Sequence, residues 1–216
     1  MTPADHGGSV QFTVLIVCTG NICRSPLAEQ LLRARLHDLS VPAKIRSAGS
    51  RAVVGDGMTP EAALVAHRHG GGGEKHVACQ LVEPLVASAD LVLTATREHR
   101  SAVVALYPRA ARYSFTLKQF ARMLAPVMEQ AIPAGAWDAE DVVAAGEESR
   151  SAQALRALIA EVAATRGFSP PPEHPDDDDI EDPFRRSMDV YDRVGVLVDA
   201  AVTTIAESFA SATSRV

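Results

Sequence analysis

A cysteine, an arginine and a serine lie close together in one short stretch, "CTGNICRS", at residues 18–25. The stretch follows an apolar, β-branched run and precedes apolar residues at helical spacing. Backbone N–H groups at a helix N-terminus have no intrahelical partners, and the helix dipole adds positive charge, so this place favours an oxyanion. The same field stabilises a thiolate, which predicts that Cys18 is a nucleophile at neutral pH.

The other residues of this stretch suit a phosphate. Arg24 is a two-pronged donor that matches phosphate oxygens and gains most when they spread equatorially in the transition state. Ser25 is placed to donate to the thiolate and make it a better leaving group. Gly20 permits a tight turn, and Asn21 tolerates a left-handed conformation while its amide braces the loop. The predicted phosphate-binding loop comprises Cys18, Thr19, Gly20, Asn21, Ile22, Cys23, Arg24 and Ser25.

Strands and helices alternate along the chain on either side of this loop. Residues 10–18 lack polar alternation, as in a strand buried on both faces of a parallel sheet. Pro26, with Ser25 as the capping residue, is expected to begin a helix that ends near Leu39. The pattern predicts an α/β fold around a parallel sheet. Further strands are expected at residues 43–48, 89–96 and 111–117. Further helices are expected at 59–69, 81–88, 98–106 and 184–211, and another helix is expected to begin at 118.

The length of 216 residues suits one domain. We expect a disordered leader at residues 1–9 and a single phosphate-processing domain at 10–216. From about 125 to 179 the composition shifts towards Ala, Glu, Pro and Gly, which predicts an inserted, partly mobile segment with a helical island near 151–165.

Composition excludes several function classes. A formal net charge of −6 argues against nucleic acid as a partner. The apolar stretches are too short to span a bilayer and the N-terminus lacks the features of a signal peptide, so we expect a cytoplasmic protein with no membrane partner. Three cysteines without a paired Cys/His set fit no structural zinc site. We expect no metal, and we expect His67, His69 and His76 to lie at the surface.

The string "CTGNICRSP" closely resembles the low-molecular-weight protein tyrosine phosphatases, and "SAGS" at 47–50, "ADLVLTAT" at 89–96 and "EDPFRRSMDVY" at 181–191 are similar to that family's later segments in the same order. The resemblance implies a four-stranded parallel sheet flanked by helices, a cysteinyl-phosphate intermediate, no metal and no cofactor. It also implies roles for single residues: nucleophile Cys18, phosphate clamp Arg24, loop brace Asn21, thiolate support Ser25 and general acid Asp182.

Asp182 is one of several carboxylates in an acidic stretch. Ester cleavage needs an acid for the leaving oxygen and then a base for the attacking water, and one carboxyl group serves both steps. Pro183 is expected to hold Asp182 extended and to start the final helix. Asp176, Asp177 and Asp178 are expected in a solvated acidic loop. A helix-capping role for Asp182 stays open as an alternative.

The implied activity is hydrolysis of phosphotyrosine-type phosphomonoesters, in a protein or a small aryl phosphate, with inorganic phosphate as the product. Phe184 is the expected aromatic wall for the substrate. Arg185 stands where a second tyrosine is often found in the family, so aromatic packing on that side is less complete.

Two other functions stay open. Thiol-dependent arsenate reductases share this fold and relay oxidation through two further cysteines, whereas only Cys79 lies outside the loop here, so a complete relay is not expected. We expect Cys79 to be buried and structural, and Cys23 either to pack or to trap oxidised Cys18 as a disulfide. The other alternative is a non-catalytic phosphate-binding module of the same fold.

Overall fold

A parallel sheet of four strands forms the centre of the computed structural model, which describes residues 11–72, 75–129 and 147–214. The strand order is β2-β1-β3-β4, so β1 lies inside the sheet and pairs with both β2 and β3. The predicted α/β fold with four parallel strands flanked by helices is confirmed. The strands are β1 (Phe12–Cys18), β2 (Ala43–Gly49), β3 (Leu91–Thr94) and β4 (Ser114–Thr116).

Helices follow the strands in the order that the sequence predicts. The described residues form α1 (Arg24–Asp38), α2 (Pro60–Arg68), α3 (Glu83–Ala87), α4 (Arg97–Leu106), α5 (Leu117–Glu129), α6 (Glu147–Ala164) and α7 (Met188–Thr213), with 3-10 turns at Pro108–Arg112, Thr165–Gly167 and Pro175–Asp178.

Strand β1 is buried on both faces, as its unbroken apolar run predicts. Val14 and Ile16 belong to the larger core, which also includes residues of α1, α5, α6 and α7. Leu15 and Val17 belong to a smaller core with residues of α3 and α4. The carboxyl end of this strand is Cys18, which is buried, so the sheet gives the loop after it a rigid base.

Two of the helix starts that differ from the prediction lie next to predicted site residues. Helix α1 begins at Arg24 rather than Pro26, because Leu27 N–H already donates to Cys23 O; Ser25 lies inside the first turn and is not the cap. Helix α7 begins at Met188 rather than at Pro183. The reason is Arg185, whose φ of 61° is left-handed and cannot be part of an α-helix.

Helix α6 is part of the core. Its buried residues pack with those of α7 and α5: Ala152, Leu155, Leu158, Ile159 and Val162. The helical island expected near 151–165 is therefore present as α6 and packs in the core, and the expectation of an inserted, partly mobile segment at 125–179 stays a prediction. Helix α5 also extends past residue 125, to Glu129. The predicted leader at 1–9 lies outside the described residues.

Helix α7 is long and apolar enough to cross a membrane by length and composition alone. Half of its most apolar window is buried inside the protein, where it packs on α1, α2, α5 and α6. Its apolar face, which includes Val198, Val202 and Phe209, therefore has a structural role in the core.

Candidate active site

The loop between β1 and α1 is held in shape by Asn21, which is fully buried and has a left-handed φ of 57°. Its side-chain amide donates to Ser25 Oγ at 2.9 Å and to Ser47 Oγ at 2.8 Å. Its side-chain oxygen accepts from the backbone N–H of Cys79 at 2.9 Å. Every polar group of the side chain has a partner, so the loop is fixed before any ligand binds.

The thiol of Cys18 contacts one hydroxyl, Ser25 Oγ, at 2.9 Å. Because Ser25 Oγ accepts a hydrogen bond from the Asn21 amide, its own proton is free to point at the sulfur. A donor directed at sulfur stabilises the thiolate more than the thiol. The structure thus places Ser25 beside the nucleophile and not at the N-cap of α1, where the sequence analysis also expects it.

Three side chains brace the loop from outside it. Ser47, at the end of β2, accepts from Asn21 and donates to Glu29 of α1. His76 Nε2 donates to the backbone oxygen of Asn21 at 2.6 Å. The side chain of His76 is only 9% exposed, which corrects its predicted surface position. Sequence reasoning missed the bracing contacts of Ser47, Glu29 and His76.

The segment after β2 lies directly on the phosphate-binding loop. Backbone N–H groups of Ser50, Arg51 and Val53 donate to the carbonyl oxygens of residues 18, 19 and 20 at 2.8 to 3.0 Å. A Cβ on Gly49 would lie 2.5 Å from the oxygen of Thr19, so only glycine permits this approach. The backbone contacts fix Arg51 and Val53 beside the loop.

Arg24 is buried, and its guanidinium makes three contacts that hold it over the loop. Nη1 donates to Ile180 O at 3.2 Å, and Nη2 donates to Thr19 Oγ1 at 3.3 Å and to Asp182 Oδ2 at 2.6 Å. Nε is buried with no acceptor in the described part of the chain. An unsatisfied buried donor is costly, and a phosphate oxygen would satisfy it.

Asp182 reaches the site from the far end of the chain. One carboxylate oxygen pairs with Arg24, and the other accepts from Phe184 N–H at 3.2 Å. The side chain is 51% exposed, so water and a leaving group can reach it. Ser187, not Asp182, is at the N-cap of α7, which removes the helix-capping alternative.

The acidic run before Asp182 is more structured than predicted. Asp178 is 6% exposed and pairs with Arg122 at 2.9 Å, which corrects its expected place in a solvated loop. Asp176 is 88% exposed but pairs with Arg97, and Asp177 is exposed. These ion pairs fix the segment that leads to Asp182.

A cavity of about 180 Å³ joins the predicted site residues. Cys18, Arg24 and Asp182 all line it, and Ile22, Val53 and Phe184 give it apolar walls. Phe184 is 42% exposed and forms part of the mouth of the cavity, and its role as a substrate wall stays a prediction. The remaining lining residues are Thr19, Gly20, Cys23 and Arg51.

The other two cysteines are less reactive than a free thiol. Cys23 is buried, its Sγ lies 3.6 Å from Thr59 Oγ1 and 3.7 Å from Tyr191 Oη, and burial raises its pKa. Cys79 is half-buried rather than fully buried, donates to Ser47 O at 3.2 Å, and also has a pKa raised by burial. The environments of Cys23 and Cys79 therefore suit structural roles, in packing and in bracing the residues around the loop.

His99 is a buried histidine beside the site that sequence reasoning missed. Its Nε2 lies 2.8 Å from Thr19 Oγ1, and its Nδ1 lies 2.7 Å from Thr96 Oγ1. Because Arg24 donates to Thr19 Oγ1, that hydroxyl can give its own proton to an unprotonated Nε2. Burial first, and then the charge of Arg24, lowers the pKa of His99 to about 4. Neutral His99 therefore supports the contact between Thr19 and Arg24.

We expect this histidine to make stability depend on pH. The unfolded chain protonates His99 near pH 6.5 and the folded chain only near 4, so between these values the unfolded state binds more protons. The free energy of unfolding should therefore fall as pH drops from 6.5 to 4, with a contribution from His99 of about 3 kcal/mol. Urea unfolding across this range should show a shallower fall for His99→Gln.

The control is His67→Gln, since His67 is exposed on α2. This variant should keep the wild-type dependence on pH. A His99→Gln protein with an unchanged slope would contradict the low pKa of His99.

Two of the residues that sequence reasoning missed carry a weak signal. Ser47 and Thr96 are polar residues near the carboxyl ends of buried strands, where parallel sheets place their ligands. Glu29 and His99 lie on helices and carry no such signal. Within residues 11–72, 75–129 and 147–214, no group of three or more His, Cys, Asp or Glu side chains is arranged to hold a metal.

The sequence of the chain is similar to known phosphatases. The model of the low molecular weight phosphotyrosine protein phosphatase family matches residues 13–127. The probable low molecular weight protein-tyrosine-phosphatase AmsI of Erwinia amylovora is 41% identical over 96 residues, which is 44% of this chain and 64% of that protein. The match thus spans slightly less than two thirds of that relative. The protein-arginine-phosphatase of Bacillus subtilis is 36% identical over 112 residues, which is 50% of this chain and 71% of that protein.

Solved structures share the fold over most of the chain. The crystal structure of the Erwinia amylovora tyrosine phosphatase AmsI has a TM-score of 0.60, with 24% identity over 90% of each chain. The YwlE arginine phosphatase of Geobacillus stearothermophilus has a TM-score of 0.59, with 25% identity over 91% of each chain.

Proposed function

Because the chain belongs to the low molecular weight phosphotyrosine protein phosphatase family, we propose that it hydrolyses phosphotyrosine-type phosphomonoesters through a cysteinyl-phosphate intermediate. One observation carries the proposal. The Cys18 sulfur, with the Ser25 hydroxyl 2.9 Å away, lines the same cavity as the buried Arg24 and the partly exposed Asp182. A nucleophile, an anion clamp and a proton donor are the three groups that the reaction needs.

Binding begins with an exchange of partners at Arg24. Without substrate, Arg24 pairs with Asp182 and keeps an unsatisfied Nε–H. A phosphate dianion in the loop offers two or three oxygens to the guanidinium and to the loop N–H groups, so it displaces the carboxylate. The displaced Asp182 carboxylate takes up a proton from solvent before the first chemical step.

In the first chemical step the Cys18 sulfur attacks phosphorus and the bond to the leaving oxygen breaks. Asp182 gives its proton to that oxygen. Thr19 and Ile180 O hold the guanidinium of Arg24 in place while charge spreads over the equatorial oxygens.

In the second step a water molecule attacks the phosphorus of the cysteinyl phosphate. Asp182, now ionised, takes a proton from the water, and the bond between phosphorus and sulfur breaks. The Ser25 hydroxyl donates to the departing thiolate of Cys18 and lowers the energy of this step. Inorganic phosphate leaves, Asp182 releases its proton to solvent, and Arg24 regains its partner Asp182.

The cavity walls favour an aryl ester over phosphoarginine. Ile22, Val53 and Phe184 offer apolar surface to a phenyl ring. The guanidinium of phosphoarginine carries N–H donors that need acceptors, and Asp182 is the one carboxylate among the described lining residues. The charges of Arg24 and Arg51 also oppose a cationic group.

The test compares two peptides of the same sequence, one with phosphotyrosine and one with phosphoarginine, under reducing conditions. We expect kcat/KM for phosphotyrosine to be higher by at least about tenfold, the range that an apolar pocket provides. Arsenate with a thiol reductant is assayed in parallel and should not be reduced.

The other outcomes point to other functions. Faster hydrolysis of phosphoarginine would make the protein an arginine phosphatase. Thiol-dependent reduction of arsenate would support the reductase alternative. Phosphate binding without turnover of either peptide would leave a non-catalytic phosphate-binding module.

A further inference from the structure

The mouth of the active-site cavity carries arginine side chains from two separate segments. Arg51 lies in the segment after β2, lines the cavity and is exposed. Its backbone N–H donates to Thr19 O at 3.0 Å, so the start of its side chain is fixed against the phosphate-binding loop. Arg185 directly follows Phe184, in the turn that carries the aromatic wall.

Arg185 is held in an unusual backbone conformation. Its φ of 61° is left-handed, and the turn is closed by a hydrogen bond from Arg186 N–H to Pro183 O at 2.9 Å. The guanidinium carbon of Arg185 lies 5.0 Å from the centre of the Phe184 ring, within cation–π range. Because Phe184 lines the cavity, this contact keeps a positive charge next to the substrate wall.

Neither Arg51 nor Arg185 forms an ion pair within the described ranges, although the chain has a net charge of −6. Two carboxylates close to Arg185 in sequence are engaged elsewhere, since Asp182 pairs with Arg24 and Glu181 with Arg193. The arginines that do have carboxylate partners are Arg24, Arg33, Arg35, Arg68, Arg97, Arg122, Arg156 and Arg193. The mouth therefore carries two guanidinium groups that have no carboxylate partner among the described residues, on a chain of negative net charge.

A phosphotyrosine with its phosphate at Cys18 would place the peptide backbone at this mouth. Side chains on either side of the tyrosine then lie near Arg51 and Arg185, where carboxylates can form bidentate pairs with the guanidinium groups. We propose that the protein selects phosphotyrosine flanked by acidic residues, with Arg51 and Arg185 as the residues that determine this specificity. The inference rests on the proposed phosphotyrosine activity.

The effect is electrostatic and acts mainly on substrate capture. Exposed ion pairs are each worth a few-fold in affinity and are weakened by salt. Positive charge at the mouth also speeds the encounter with an acidic peptide at low ionic strength. The preference should therefore appear in KM and kcat/KM and should shrink as salt is added.

The experiment uses two phosphotyrosine peptides that differ only in their flanking residues, Asp and Glu in one and Asn and Gln in the other. The measured quantity is the ratio of kcat/KM for the acidic peptide to kcat/KM for the amide peptide. Using the ratio cancels any effect of a substitution on the chemical steps, which are common to both peptides. The proteins are the wild type, Arg51→Gln, Arg185→Gln, the double variant and the control Arg109→Gln.

Arg109 is a suitable control because it is exposed, does not line the cavity and has no ion pair in the part of the chain that is described. We expect a wild-type ratio of about 5 to 20 at low salt. Each single variant should lower it by about threefold, and the double variant should bring it near one. Arg109→Gln should keep the wild-type ratio. Added salt should lower the ratio of the wild type.

A wild-type ratio of one would overturn the proposal, and so would a ratio that the double variant leaves unchanged. A small aryl phosphate, which has no flanking residues, tests the underlying activity separately. If the wild type hydrolyses it but shows a ratio of one, only the flanking specificity fails. If the wild type hydrolyses neither the aryl phosphate nor the peptides, the proposed function itself fails.

Discussion

Replacing Cys18 with serine is expected to lower kcat for an aryl phosphate by at least about 10³-fold. The serine hydroxyl stays protonated at neutral pH, and the neighbouring Ser25 hydroxyl, which stabilises a thiolate, cannot make it an alkoxide. Continuous release of the phenolate under reducing conditions measures the rate. Circular dichroism and phosphate binding show whether the variant keeps its fold and its loop.

The control is Cys79→Ser, because a serine hydroxyl can keep the contact that Cys79 makes with Ser47 O. This variant should retain most of the activity. A Cys18→Ser protein with near wild-type turnover would contradict the assignment of Cys18 as nucleophile.

Replacing Asp182 with asparagine is expected to lower the rate in a way that depends on the leaving group. For phenyl phosphate, whose leaving oxygen is strongly basic, the loss should be about 10²-fold or more, the usual contribution of general acid catalysis. For a nitrophenyl phosphate, whose leaving group needs little protonation, the loss should be about tenfold or less. A plot of log kcat/KM against the pKa of the leaving phenol should therefore be steeper for the variant.

Asp176→Asn provides the matched control, since Asp176 belongs to the same acidic run but lies 88% exposed in a pair with Arg97. Its plot should have the wild-type slope. Equal losses for Asp182→Asn with both leaving groups would mean that Asp182 is not the general acid. Its role would then be limited to the ion pair with Arg24.

The sheet and the loop were predictable because their signals are local. The unbroken apolar run before Cys18 predicts a strand buried on both faces, and the structure buries both faces of β1. Helix ends were harder to predict. Pro183 favours a helix start, but the left-handed backbone of Arg185 delays it to Met188, and nothing in the sequence around an arginine predicts a positive φ. A helix near 151–165 was predicted, but the packing of α6 in the core was not, because its alanine-rich composition suggested an inserted segment.

In the candidate site, too, some residues could be predicted from the sequence and others could not. The loop residues follow from one continuous motif, and Asp182 follows from the resemblance of a second, distant segment to the same family. Their supports come from segments far apart in sequence: His76 and Ser47 for Asn21, and His99 for Thr19. Each support is a single hydrogen bond, so it leaves no periodic pattern, and only the folded chain brings the partners together.

The most direct test is a rapid acid quench of the enzyme with an aryl phosphate that carries a labelled phosphoryl group. Asp182→Asn and a nitrophenyl leaving group are used together, because the first step then needs little acid while the second step lacks its base and the intermediate accumulates. We predict labelled phosphate bound to the peptide that contains Cys18, formed with a burst of nitrophenolate, and no label on Cys18→Ala. An active enzyme that carries no label, or that carries it on another residue, would contradict covalent catalysis by Cys18.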